Sequence, residues 1–206
     1  MEALKSLITI IIPLLIIMDP PGNLPLFLLF TRENTAAERR RIAIYASLTA
    51  CLILAFFGLT GDLILRFFGI GLPAFQLAGG FIFFIYALQM LRLIPSGLKT
   101  STEEEREGVE KQNVALVPLA TPLLAGPGAI TAVLVWRQGL GSPLGLGLLM
   151  AGIAISCLVV FLVLYYGERI SRSMGLGGIR VMTRLMGLLL AVIAVQFMVS
   201  GYQQIR

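Results

Sequence analysis

The chain has 206 residues, of which 57% are hydrophobic and 13% are charged, and its mean hydropathy is +0.91. This composition excludes an ordinary soluble globular domain and indicates an integral membrane protein, whose surroundings are the lipid bilayer. The formal net charge of +5 does not indicate a nucleic-acid partner, because cationic loops that orient a membrane chain account for such an excess.

Six apolar segments are long enough to form the roughly 20 residues of helix that cross a hydrocarbon core. The first, residues 6–31, is interrupted by MDPPGNLP at 18–25, and five further segments lack Asp, Glu, Lys and Arg: 42–61, 67–91, 112–136, 138–167 and 185–205. A cleaved signal is disfavoured for the first segment, because no small-residue cleavage site follows it and apolar residues resume at Leu24. We therefore predict an all-α membrane protein with six transmembrane helices.

Positive charges are distributed unevenly between the two sides that six crossings define. Twelve of the 16 Lys and Arg residues fall on one side and four on the other. Since cationic loops stay in the cytoplasm, both termini of this multi-pass protein are expected outside the plasma (inner) membrane. If the first and fourth segments were re-entrant hairpins, four crossings would remain and the split would be eleven to five. The larger bias favours six crossings.

The stretch MDPPGNLP breaks the first helix near the middle of the membrane. Proline removes a backbone donor and clashes with the preceding turn, so the first half-helix is expected to end near Met18. Asp19 suits the N-cap of the next half, proline suits its first position, and residues 24–31 continue it. Asp19 is the single acid near mid-membrane, and it is either a structural N-cap or a functional carboxylate.

The fourth segment is broken in a similar manner. It follows the markedly polar stretch 95–113, which is expected to be a solvated cytoplasmic linker. Pro118 and Pro122 disrupt one half of the segment, and Gly126-Pro127-Gly128 opens the other half. Helices 1 and 4 are therefore both predicted to be broken at mid-membrane.

The second half of the chain repeats the first with inverted topology. Pro127-Gly128 follows Pro21-Gly22 at an offset of 106 residues, which also separates Cys51 from Cys157. Three helices per copy, an odd number, place the second copy upside down in the membrane. The predicted repeats are residues 1–94 and 114–206. At an offset of 107, positions of the third segment match positions of the sixth: Gly80, Ala87 and Gln89 correspond to Gly187, Ala194 and Gln196.

Two helix breaks at equivalent positions predict one shared cavity, because broken backbone in the membrane is tolerated only where protein or water satisfies it. The N–H groups at the half-helix N-termini suit a carboxylate, and freed carbonyls suit an ammonium, so a zwitterion fits both. Asp19 could hold that ammonium. It could also carry a coupled proton, because the chain has no histidine that could do so. The predicted substrate-binding residues are Asp19, Pro21, Gly22, Asn23, Gln89, Thr121, Ala125, Gly126, Pro127, Gly128 and Gln196.

Several polar and small residues have two interpretations. Gln89 and Gln196 could line the cavity or join neighbouring helices by hydrogen bonds. The glycines Gly79-Gly80 and Gly187 are expected to permit close helix packing, and the two cysteines are interpreted as small buried apolar residues. No pattern indicates a metal site or a cofactor, and the absence of Ser/His pairs, metal-ligand clusters and phosphate loops from the sequence disfavours an enzyme.

The stretch MDPPGNLPLFLLFT resembles the D-P-x-G-N-x-P-x-F-x-x-L-T signature of the MarC family of membrane proteins, with Phe30 where that family has leucine. PLATPLLAGPGAI resembles its second signature, and LAGGFIFFIYALQML and TRLMGLLLAVIAVQFMVSG resemble further parts. The resemblance implies six helices, a relation to the lysine-exporter superfamily and transport of small neutral amino acids in some members. On this chain the signatures fall on Asp19, Pro21, Gly22, Asn23, Pro122, Gly126, Pro127 and Gly128.

Together these features predict a secondary transporter that binds a small neutral amino acid of the glycine and alanine class between the broken helices. It would export this substrate by alternating access, and a proton could be the coupling ion. Export of another small polar metabolite and a non-transport membrane scaffold are the alternatives, and a homo-oligomer is compatible with each. A scaffold, unlike a transporter, does not require an acid beside one helix break and a matching break in the other repeat.

Overall fold

The computed structural model describes residues 2–94, 124–139 and 142–205. Within these ranges the regular structure is helical throughout, which confirms the predicted all-α class. The predicted linker 95–113, together with Pro118, Thr121 and Pro122, lies outside the described residues. The helices are α1 (Glu2–Met18), α2 (Pro20–Phe30), α3 (Ala36–Phe67), α4 (Leu72–Met90), α5 (Pro127–Gly139), α6 (Pro143–Tyr165) and α7 (Gly167–Ile205).

Four of the described helices, α3, α4, α6 and α7, are long and apolar enough to cross a membrane. The pair α1 and α2 passes the same test when taken together, and its two halves are bent by 42°. The chain is thus a multi-pass membrane protein. Helix α5, with 13 residues, corresponds to the second half of the predicted fourth segment, whose first half lies outside the described ranges.

Two helices are longer than the membrane requires. Helix α3 has 32 residues and begins with a capping box, in which Thr35 and Glu38 satisfy each other's backbone N–H groups. Helix α7 has 39 residues and is kinked at Gly175, whose φ of 62° is left-handed. The kink separates a short segment, residues 167–174, from the long apolar part of the helix. The charged ends of both helices therefore extend beyond the roughly 20 residues that a crossing needs.

Helices α4 and α7 form the most extensive helix pair among the described residues. A Cβ atom added at Gly80 would lie 2.8 Å from the carbonyl oxygen of Ala194, and one added at Gly187 would lie 3.2 Å from that of Ala87. These contacts confirm the prediction that the glycines permit close packing. Because residue numbers fall along one helix as they rise along the other, α4 and α7 are antiparallel.

Helices α3 and α6 form the second most extensive pair and are also antiparallel. The guanidinium carbon of Arg40 lies 4.9 Å from the ring centroid of Tyr165. Further along, a Cβ atom added at Gly58 would lie 2.5 Å from Cε of Met150. Between these points lie the free thiols of Cys51 and Cys157. Cys157 is buried, as predicted for a small apolar residue, whereas Cys51 is only half-buried.

We expect Gly80→Ala and Gly187→Ala each to lower the free energy of unfolding by about 1–3 kcal/mol, because the added methyl group overpacks the α4–α7 contact. The matched control is Gly147→Ala, since a Cβ atom at this helical glycine meets nothing within 4 Å. Alanine there should be neutral or stabilise by up to about 1 kcal/mol. The free energy of unfolding of the three variants can be measured in detergent. Equal changes in this free energy at the three positions would contradict the proposed tight contact.

Candidate functional site

The first helix break is centred on Asp19, between α1 and α2. Its φ of 40° and ψ of 62° are left-handed, a conformation that costs a non-glycine residue roughly 1–2 kcal/mol. The Asp19 N–H still donates to the Leu15 carbonyl at 3.0 Å, and its carbonyl accepts from the Asn23 N–H at 3.1 Å. Asp19 therefore keeps both of its own helical backbone hydrogen bonds at the bend.

Asp19 caps the second half-helix, as predicted. The Gly22 N–H donates to Oδ1 of Asp19 at 3.2 Å. The two residues before Gly22, Pro20 and Pro21, have no N–H group, so Gly22 supplies the first available donor of α2. A Cβ atom at Gly22 would lie 1.8 Å from Oδ2 of Asp19. Only glycine at position 22 therefore lets the carboxylate fold over the helix end.

Asn23 joins the two half-helices from the other direction. Its side chain is buried, and its Nδ2 donates to the Met18 carbonyl at 2.8 Å. This bond satisfies a carbonyl at the end of α1 that would otherwise lack its helical partner. At the first break, the Gly22 amide and the Met18 carbonyl are thus both used within the protein.

The predicted second break lies directly before α5, where the described residues are arranged differently. Ala125 is 1% exposed, Gly126 is also buried, and the helix begins at Pro127 as predicted. The Ile130 N–H donates to the Gly126 carbonyl at 3.1 Å. Gly128 and Ala129 come before Ile130 in the first turn of α5, so their N–H groups are among the donors that have no partner within their own helix. They lie at the positive end of the helix dipole.

The structure brings the two breaks together. A Cβ atom added at Gly128 would lie 3.3 Å from Cγ2 of Ile17, two residues before Asp19. Residues from both breaks share one buried cluster, in which Met18 and Leu24 pack with Leu124, Ala125 and Ala129. The N-terminus of α5 is therefore packed beside the end of α1.

Helix α4 also packs against the N-terminus of α5, beside Ile17. Cε1 of Phe83 would also lie 3.3 Å from a Cβ atom at Gly128, and its fully buried ring lies 5.3 Å, between centroids, from that of Phe197. One turn earlier, Gly79 accommodates the side chain of Thr131, whose hydroxyl donates to the Pro127 carbonyl at 2.7 Å. Phe83 is not among the site residues predicted from the sequence. Its spacing of one turn from Gly79 is the signal that could have identified it.

The two glutamines differ in their surroundings, although the sequence predicts that they occupy equivalent positions of the two repeats. Gln89 is 9% exposed near the end of α4. Gln196 is exposed, and its Nε2 donates to the Ser200 hydroxyl of the same helix at 3.3 Å. The structure does not bring Gln196 to the breaks, and Thr121 lies outside the described residues. Among those residues, no group of three or more His, Cys, Asp or Glu side chains could hold a metal ion.

Comparison with known proteins identifies the family. The model of the MarC family integral membrane proteins matches residues 4–206. The chain belongs to the MarC family. Its similarity to that family therefore covers both helix breaks as well as the helices that pack around them.

Relatives in the MarC family are recorded as UPF0056 membrane proteins. One from Aquifex aeolicus is 39% identical over 93% of this chain and 90% of its own length. YvbG of Bacillus subtilis is 36% identical over 95% and 93%, and YhcE of Escherichia coli is 34% identical over 94% and 90%. No solved structure matches the chain.

Substitutions at the first break test its local geometry. We expect Asp19→Asn to change the free energy of unfolding little, because asparagine also caps helices and tolerates the left-handed region. Gly22→Ala should cost about 1–2 kcal/mol, because its methyl group displaces the capping carboxylate. Thermal unfolding in detergent compares the two variants. Equal stability of Gly22→Ala and the wild type would show that the cap does not form in the membrane protein.

Proposed function

We propose that this MarC family protein is a secondary transporter of small neutral amino acids of the glycine and alanine class, and that it exports them. The observation that carries the proposal is the position of the α5 N-terminus, whose first-turn amides lie beside the broken end of α1. Two half-helix ends that meet inside a membrane bundle are the usual setting for a small zwitterionic substrate.

The substrate carboxylate is assigned to the second break. The amides of Gly128 and Ala129 are first-turn donors at a positive helix end, which suits an anion. At the first break the Gly22 amide is already bonded to Asp19. This difference supports a single carboxylate position near Gly126, Pro127 and Gly128.

The substrate ammonium is assigned to the Asp19 carboxylate and to carbonyl oxygens near Ala125. Because Oδ1 of Asp19 already accepts from the Gly22 amide, an ammonium bound by Asp19 would share the carboxylate with that amide or displace it. Displacement would weaken the cap at the start of α2, so substrate binding is proposed to loosen the junction between α1 and α2. Asp19 is also the group assigned to carry a coupled proton, and Thr121 and Gln89 stay predicted contacts.

The packing around Gly128 leaves little space beside the α5 N-terminus. A single methyl group at Gly128 would already meet Ile17 and Phe83 at 3.3 Å. A substrate could therefore bind here only if these side chains move, and a substrate of the glycine and alanine class requires the smallest movement.

The arrangement proposed for transport is six helices in two inverted repeats, 1–94 and 114–206. The antiparallel pairs α4 with α7 and α3 with α6 each join predicted equivalents, and the Gly80–Ala194 contact is mirrored by Gly187–Ala87. These pairs support inversion, because equivalent helices of inverted repeats run in opposite directions. Rocking of one repeat against the other at these interfaces would open the site to each side in turn.

Counterflow of glycine and alanine into proteoliposomes tests the proposal. The wild type should show saturable exchange, and Gly128→Leu should abolish it, because the leucine side chain fills the carboxylate position. Gly147→Leu is the matched control, since nothing lies within 4 Å of a Cβ atom there. Asp19→Asn should raise the half-saturation concentration about tenfold or more, because a charge-assisted bond to the ammonium is lost.

The same experiment can overturn the proposal. Folded wild-type protein that exchanges no amino acid from a broad panel would exclude the substrate class. Equal activity of Gly128→Leu and Gly147→Leu would remove the site from the helix breaks, whatever the substrate. Unfolding curves for each variant separate loss of function from loss of structure.

Both termini are proposed to lie outside the plasma membrane, because of the uneven distribution of Lys and Arg. Alkaline phosphatase, which is active only outside the cytoplasm, should be active when fused after Ile205 and inactive when fused within residues 95–113. The opposite pattern would reverse the orientation. Activity at both positions would contradict six crossings.

A further inference from the structure

A cavity of about 310 Å³ lies where the start of α3 meets the junction of α6 and α7. It is separate from the residues of the helix breaks. Its volume is at the lower end of the roughly 300–1,000 Å³ of ligand pockets, which suits a compact group. Its polar lining consists of Arg39, Arg40, Arg169, Glu168, Tyr165 and Tyr166.

The lining is cationic and its charges are held in place. Three guanidinium groups face one carboxylate, and that carboxylate, Glu168, is paired with Arg39. Arg39 is 16% exposed and also donates to the Thr31 carbonyl at 3.0 Å, which anchors it to the end of α2. The Arg40 guanidinium lies 4.9 Å from the Tyr165 ring centroid, a distance typical of a cation–π contact.

The three arginines offer more N–H donors than the single carboxylate can accept. Nε of Arg39 has no hydrogen-bond partner among the described residues, but it is buried, so the donors available to a ligand are the other guanidinium nitrogens. This excess of donors favours an anion with several acceptor oxygens. Arginine forks match phosphate in this way.

We propose that this cavity binds a phosphate group, and that the group is the headgroup phosphate of an anionic phospholipid. The lipid source is favoured by the surface that continues from the cavity toward the membrane. Ile44 and Leu48 follow Arg40 at one and two turns along α3, and both are exposed. Leu162 and Leu158 precede Tyr166 at one and two turns along α6, and both are exposed as well.

These exposed side chains of α3 and α6 form an apolar surface that extends from the arginines, and acyl chains of a bound lipid could lie on it. Basic pockets between transmembrane helices, on the side that carries the excess of Lys and Arg, bind anionic headgroups by this combination of charge and apolar surface. The two tyrosines add polar hydroxyls, and tyrosine is enriched where the apolar part of a membrane meets the headgroup region. A bound lipid would connect the start of α3 to the α6–α7 junction, and so would stabilise the contact between the two halves of the chain.

The test measures thermal unfolding of the purified full chain in detergent during titration with phosphatidylglycerol, phosphatidylcholine or inorganic phosphate. Phosphatidylglycerol should raise the midpoint temperature saturably, and phosphatidylcholine should not, because binding of a specific ligand stabilises by mass action. The double variant Arg40→Gln/Arg169→Gln should weaken the apparent affinity for phosphatidylglycerol about tenfold or more.

The matched control is Arg41→Gln/Arg172→Gln, which removes two exposed arginines close in sequence that do not line the cavity. It should retain the wild-type affinity. If both double variants lose affinity equally, the effect is general surface charge and the proposal is overturned. Native mass spectrometry should show one retained phosphatidylglycerol in the wild type and in the control, and none in the cavity variant.

Inorganic phosphate distinguishes the source of the group. Saturable stabilisation by phosphate that the cavity variant loses, without any preference for phosphatidylglycerol over phosphatidylcholine, would support the anion site and overturn the lipid assignment. If Arg40→Gln/Arg169→Gln does not fold, Arg169→Gln alone carries the test, because it leaves Arg40 on Tyr165. An unchanged phosphatidylglycerol affinity in this folded variant would contradict a role for Arg169.

Discussion

A helix that is interrupted inside a membrane must satisfy its freed backbone groups within the protein, and the rest of this structure depends on how it does so. At the first break the Asp19 carboxylate accepts from Gly22, and the Asn23 amide donates to the Met18 carbonyl. The two residues whose chemistry would suit a ligand are therefore also the residues that hold the bend together. Under the proposed function, local stability and ligand recognition would compete for the same atoms.

The freed backbone groups are satisfied to different extents at the two predicted breaks. The first is closed on itself, with prolines at the positions where N–H groups would otherwise be open. The second offers the amides of Gly128 and Ala129 at a positive helix end, packed beside Ile17. Under the proposed function, such inequality would give a zwitterion a defined orientation, because its carboxylate and its ammonium would bind to different half-helices.

Packing between the two halves of the chain explains why the breaks can meet. The most extensive contacts join α4 to α7 and α3 to α6, so neither predicted repeat is a separate domain. Since lipid removes most of the hydrophobic driving force between helices, close approach depends on small residues such as Gly80 and Gly187. Their contact with the Ala194 and Ala87 carbonyls positions α4, and hence Phe83, against the α5 N-terminus.

The sequence by itself determined the membrane class, the helix break after Met18, the start of a helix at Pro127, the cap by Asp19 and the family. These features follow from local chemistry, because proline and capping residues act within one turn of their own position. Only the tertiary structure decided that Gly128 meets Ile17 and Phe83, that Gln196 faces outward, and that three arginines line one cavity. Those outcomes depend on how helices far apart in sequence are rotated against each other, and sequence spacing alone does not specify that rotation.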